Sequence, residues 1–122
     1  MAEERYPFLI LSGTPFERGK TYGKTFHSRI ESSLSNYRQM FRAFNDVDWE
    51  DAGRRAMVFL PFIKNFSPKM VEEMEGIAEG ASLDFRDILI LNSRSEIVLD
   101  SQVDGCTAFA TAHPFTRDGK TY

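Results

Sequence analysis

Cys106, the single cysteine of this 122-residue chain, stands in the run Asp104-Gly105-Cys106-Thr107, directly before the small and β-branched stretch Ala108-Phe109-Ala110-Thr111-Ala112. A thiol that follows glycine can attack the carbonyl carbon of residue 105, because glycine has no Cβ to block the approach or to forbid a strained backbone. Scission there would leave Cys106 as a new N-terminus with a thiol nucleophile and an α-amine, whose reference pKa of about 7.7–8.0 suits a base near neutrality. One residue would then supply both the nucleophile and its base. The alternative for a lone cysteine is a small buried hydrophobe, since free cysteine is among the most buried residue types. Asp104 could polarise or position the bond, or serve as turn chemistry before a glycine. Thr107 could hold the strained carbonyl, or be a β-branched strand residue with no further role.

Other chemistry finds little support. His27 and His113 are far apart and join no ligand motif, and no second cysteine completes a thiolate site, so no metal site is expected. His27 reads as an exposed helix residue. Glu72, Glu73, Glu75 and Glu79 crowd one helix and read as solubility charges rather than an acid–base pair. Phosphate-loop and dinucleotide glycine motifs are missing, and no cofactor is expected.

Four segments, the last around Cys106 itself, run in order along the chain: Gly13-Thr14-Pro15-Phe16-Glu17-Arg18-Gly19 with Gly23; Glu73-Met74-Glu75-Gly76-Ile77-Ala78-Glu79-Gly80-Ala81; Asp87-Ile88-Leu89 with Leu91-Asn92-Ser93-Arg94-Ser95-Glu96-Ile97; and Asp104-Gly105-Cys106-Thr107-Ala108-Phe109. From Gly13 to Tyr122 the chain resembles the acyl-coenzyme A:6-aminopenicillanic acid acyltransferase (isopenicillin N acyltransferase-like) family, the C45 peptidase group of N-terminal-nucleophile hydrolases. The resemblance implies self-cleavage between Gly105 and Cys106, with the freed Cys106 then attacking a small-molecule amide or acyl-thioester. It implies that Asn92, Arg94 and Glu96 approach the cleavage region, Asn92 and Glu96 lying one helical turn apart. A solvated helix face is the other reading of that trio. In the family a Gln-Asn-Trp-Asp-like stretch and most of the catalytic sheet follow the position of Tyr122. The expected layout is therefore a helical prosegment over 1–105 and the first strand and turn of a catalytic part over 106–122, associating with the rest of that part or with a second copy. The competing function is a truncated, catalytically inactive helical interaction module whose exposed apolar surface docks a partner.

The elements that must position these residues are legible in outline. Hydrophobic residues at 42% and charged residues at 27% exclude wholesale disorder, and eleven phenylalanines supply core volume. A net charge of −3 with scattered lysines and arginines argues against nucleic-acid binding. The acidic start Met1-Ala2-Glu3-Glu4-Arg5 is unlike a signal peptide, no run is long enough to span a bilayer, and a lone cysteine suits a reducing, cytoplasmic or other intracellular compartment.

Tyr6 to Leu11, with Phe8, Leu9, Ile10 and Leu11 together, reads as a buried strand ended by Ser12-Gly13. Phe26, Ile30, Leu34, Tyr37, Phe41 and Phe44 recur at threes and fours and predict one long helix from about Pro15 to Asn45, with Gly19 and Gly23 marking a close approach to another element. Asp48 caps a second helix from Trp49 to about Ile63, bent near Pro61, with Trp49, Ala52, Ala56, Phe59 and Leu60 inward. Ser67-Pro68 starts a third, lined by Met70, Met74, Ile77 and Ala78 and ended by Gly80. Asp84 caps a fourth, carrying Ile88, Leu89 and Leu91, with Ile97 and Val98 beyond. After a linker at 100–103, Cys106 to Ala112 reads as a strand and Arg117-Asp118-Gly119-Lys120 as a hairpin turn. The fold class expected is α+β: about four prosegment helices plus a short strand pair, the start of an N-terminal-nucleophile αββα fold.

Overall fold

Thr14 and Glu17 set the first helix. In a computed structural model that describes residues 7–98 and 110–121, the Thr14 hydroxyl accepts from Glu17 N at 3.3 Å while a Glu17 carboxylate oxygen accepts from Thr14 N at 2.8 Å, a reciprocal cap that satisfies two otherwise orphaned amides. From this cap α1 runs over Pro15–Asn45, with proline at its first position. It kinks at Phe26 (φ −110°, ψ 20°), just after Thr21 and Thr25 bond back to the carbonyls of Glu17 and Thr21 at 3.0 and 2.8 Å. Such back-bonded hydroxyls bend helices. Asp46, in the left-handed region, ends α1, and buried Val47 donates its amide to Phe41 O at 3.1 Å.

Asp48 caps α2, Trp49–Phe66, through a 2.7 Å bond from Asp51 N, and the helix continues through Pro61 to Phe66 rather than stopping near Ile63. α3 spans Pro68–Ala81; Ser67 occupies its cap position without a side-chain cap bond. Asp84 caps α4, Phe85–Asn92, by accepting from Arg86 N at 2.7 Å. The fourth predicted helix breaks at buried Ser93 (φ −102°, ψ 13°), and α5, Arg94–Val98, follows.

The expected α+β fold is overturned: among the described residues there are five helices and no strand. Phe8 and Ile10 satisfy a strand pattern locally, but a strand needs a ladder partner for its amides and carbonyls. Residues 7–12 have none among the described residues, and Phe8 is 85% exposed. At the other end the turn falls one residue earlier than expected, over 116–119, with the Gly119 amide 3.4 Å from Thr116 O and Gly119 alone at positive φ (70°), and residues 110–112 and 120–121 form no arms. The remaining strand expectation, residues 106–109, lies outside the described residues.

The seam between α1 and α3 is the closest in the molecule. Gly19 and Gly23 of α1 face Gly76 and Gly80 of α3, and the backbones approach until a Cβ at Gly19 would lie 2.0 Å from Glu73 O and one at Gly76 would lie 2.1 Å from Phe16 O. Both helices ascend through these contacts in the same direction, Phe16 to Gly23 beside Glu73 to Ala81, so the pair is parallel with α2 as the return connection. Gly80 is thus a packing residue whose Cβ would meet Lys20 O at 2.1 Å, and α3 ends one residue later, with Ser82 at φ 55°. Arg18 bridges the seam to Glu73 at 2.6 Å and Lys20 reaches Glu79 at 2.5 Å, so two of the carboxylates expected to serve only solubility tie the helices together. His27 is similarly engaged: its Nδ1 lies 2.7 Å from Ala81 O, an arrangement in which the ring nitrogen donates, and Nε2 lies 3.2 Å from Glu31.

Ile30, Leu34, Phe41, Ala52, Ala56, Met74, Ala78, Leu89, Ile90 and Ile97 close the core. Three predicted core positions are not in it: Phe59 is half-buried on the wall of a surface groove, and Phe44 and Met70 are exposed. Phe44 is 80% exposed, seven residues from half-buried Tyr37 and so on the margin of the α1 stripe, and Met70 is exposed on the first turn of α3. Trp49 joins three elements: its indole N–H donates to Asp87 on α4 at 2.7 Å, and Arg38 of α1 lies over its ring at 4.7 Å.

Candidate functional site

Cys106 and its neighbours Asp104, Gly105 and Thr107 lie outside the described residues. The other residues assigned to that chemistry, Asn92, Arg94 and Glu96, sit at the α4–α5 corner, and the break at Ser93 changes their relation. Asn92 Nδ2 donates to Ile88 O at 2.9 Å, within its own helix, and Arg94 Nη1 donates to Leu91 O at 2.8 Å. No bond links Asn92 to Glu96 among the described residues. An uninterrupted helix would have stacked them one turn apart, whereas the two now border a groove of about 250 Å³ beside Phe59, Ile63, Met70 and Met74.

On the other side of the corner Asn92 and Arg94 face α1. Together with Tyr22, Arg29, Ile30 and Ser33 they line a pocket of about 300 Å³. It meets a larger groove of about 530 Å³ at Tyr22 and Arg29, lined by Pro7, Phe8, Leu9, Leu11 and Phe26. The α1 kink falls at Phe26, on the wall of this groove, and the Arg29 guanidinium lies 5.9 Å from the Phe26 ring centroid. Periodicity did not single out Arg29, because an exposed arginine on a helix leaves no spacing signal; only the approach of α5 gives it a companion cation.

Among the described residues no three histidine, cysteine, aspartate or glutamate side chains gather as metal ligands, and no helix is long and apolar enough to cross a membrane. Glu17 titrates below the usual glutamate range because its carboxylate accepts first from the Thr14 backbone amide and then from the Thr14 hydroxyl. That shift belongs to the helix cap and not to a reactive site.

Over 87 residues the chain is 30% identical to beta-alanyl-dopamine/carcinine hydrolase of Drosophila melanogaster. The matched stretch is 70% of this chain and 22% of that protein, so this chain spans about a fifth of the length of the curated relative it matches. No protein-family model matches the chain.

Proposed function

We propose that this chain is the N-terminal part of a self-processing cysteine hydrolase of the N-terminal-nucleophile, C45 type, with residues 1–105 as prosegment and Cys106 as the nucleophile released by processing. The observation that carries the reading is the similarity to a hydrolase over most of the chain, joined to a lone cysteine that follows glycine. In the processing step the Cys106 thiolate attacks the carbonyl carbon of Gly105. The C–N bond breaks as the amine takes a proton, and a thioester forms. Water then hydrolyses the thioester, giving a Gly105 carboxylate and a free Cys106 thiol and α-amine. In turnover the α-amine takes the Cys106 thiol proton as the sulfur attacks the carbonyl of a small-molecule amide or acyl-thioester; the C–N or C–S bond breaks, the departing amine or thiol takes that proton, and the acyl group passes from Cys106 to water or an amine. The α4–α5 corner, with Asn92, Arg94 and Glu96, immediately precedes the scissile segment and is proposed to position it.

Mass spectrometry of the native protein, with and without Cys106→Ala, tests this reading. The expected result is a polypeptide beginning at Cys106 that is lost entirely in the variant. An intact Gly105–Cys106 bond in mature native protein overturns it. The second reading, a non-catalytic interaction module, draws on one observation: Val58, Phe62 and Phe66 form an exposed apolar stripe at four-residue spacing on α2, with Phe66 85% exposed. That reading requires partner binding to survive Cys106→Ala and to fall on Phe62→Ser.

A further inference from the structure

Arg18, Arg38, Arg54 and Arg55 each lie within 4 Å of a carboxylate. Arg29 and Arg94 do not; among the described residues each has only an aromatic ring at 5.9 Å and, for Arg94, the Leu91 carbonyl. These two unneutralised guanidinium groups, one from α1 and one from α5, line the same pocket of about 300 Å³. Among the described residues no carboxylate lines it, and Asn92 and Tyr22 border it as further polar groups. The Arg29 guanidinium lies by Phe26 and that of Arg94 by Tyr37, so the two flank the concavity from its two ends along α1, and guanidinium donors match an anionic oxygen pair in geometry. Tyr22 and Arg29 also line the neighbouring apolar groove walled by Leu11 and Phe26.

From this junction of a cationic pocket with an apolar groove, we infer that the chain has a binding site for a small amphipathic carboxylate. The carboxylate lies on Arg29 and Arg94 and the hydrocarbon tail runs along Phe26 and Leu11. The charge selects the head and the groove selects the tail, so neither a short carboxylate nor a neutral amide satisfies both halves. The site is independent of the chemistry at Cys106.

Calorimetric titration of the purified 122-residue chain with octanoate, octanamide and acetate tests the site. Octanoate should bind, with octanamide and acetate each at least about tenfold weaker, since one probe lacks the charge and the other the tail. Arg29→Gln and Arg94→Gln should each weaken octanoate about five- to tenfold and leave octanamide unchanged, while Arg→Lys at either position should restore part of the affinity. Raising salt should weaken octanoate binding by the unaltered chain, a readout that stands even if a glutamine variant loses its helical circular dichroism. Absence of octanoate binding, equal affinity for octanoate and octanamide, or indifference to salt overturns the proposal. So does an octanoate affinity untouched in both folded glutamine variants.

Discussion

Gly76 and Gly53 are both buried glycines inside helices, yet what surrounds them is different in kind. A Cβ at Gly76 would meet Phe16 O at 2.1 Å and Lys20 N at 2.9 Å, which are backbone atoms of a helix that cannot step aside without moving whole. A Cβ at Gly53 would meet Arg86 Cδ at 2.8 Å, part of a long flexible side chain. Burial alone therefore does not rank the two positions. The α1–α3 seam is set by main chain against main chain, whereas α2 rests on side chains that can rearrange.

The sharpest break of this contrast is Gly76→Ala, expected to cost more than about 3 kcal/mol in urea unfolding, because overpacking against backbone exceeds the roughly 1 kcal/mol that alanine gains in a helix. Thr14→Ala comes next, at about 1 kcal/mol for loss of the α1 cap. That cap also carries a pH signature. Glu17 has a lowered pKa in the folded chain, so its contribution is present above the unfolded glutamate pKa and is lost as pH falls through the folded value. Stability measured between pH 7 and pH 3 should lose part of its acid dependence in Thr14→Ala. The smallest effect is expected for Gly53→Ala, less than about 1 kcal/mol in either direction, since helix propensity offsets the displacement of Arg86. A cost at Gly53 equal to that at Gly76 would end the distinction between the two regions.

Much of this helical frame was legible. Asp48 and Asp84 announced two helix starts, the α1 stripe gave its extent, and Gly19 and Gly23 announced a close neighbour. The neighbour itself was written in the same spacing at Gly76 and Gly80, but a glycine near a helix end also fits a stop signal, and local pattern cannot separate the two. The Thr14-x-x-Glu17 cap carries its own sequence signature, which the helical stripe of α1 overshadowed and which was not used. The strand expectation failed for a different reason: Phe8 to Leu11 carries β-type residues, but pairing is a property of two segments, and residues 110–112, the described end of the other expected strand, pair with nothing among the described residues. For the candidate site, the assignment of Asn92, Arg94 and Glu96 to one helix missed Ser93, whose burial at a break depends on tertiary contacts. The pairing of Arg29 with Arg94 was beyond sequence reading, because it arises only where α1 and the α4–α5 corner converge.

The four seam glycines also fix how the molecule can assemble. Each pair repeats at four residues, about 6 Å along a helix, so the two helices mesh like short toothed racks. A slip by one tooth engages half the notches, and any smaller slip drives side chains into backbone, which leaves no gradual path between right and wrong alignment. The meshing partners Arg18 and Glu73 are 55 residues apart, and joining such distant points costs about 3.5 kcal/mol in chain entropy beyond a fixed constant. α2, an 18-residue rod about 27 Å long, converts much of that wandering connection into a rigid strut. The helix that carries exposed Val58, Phe62 and Phe66 thereby acts as the spacer that presents one rack to the other.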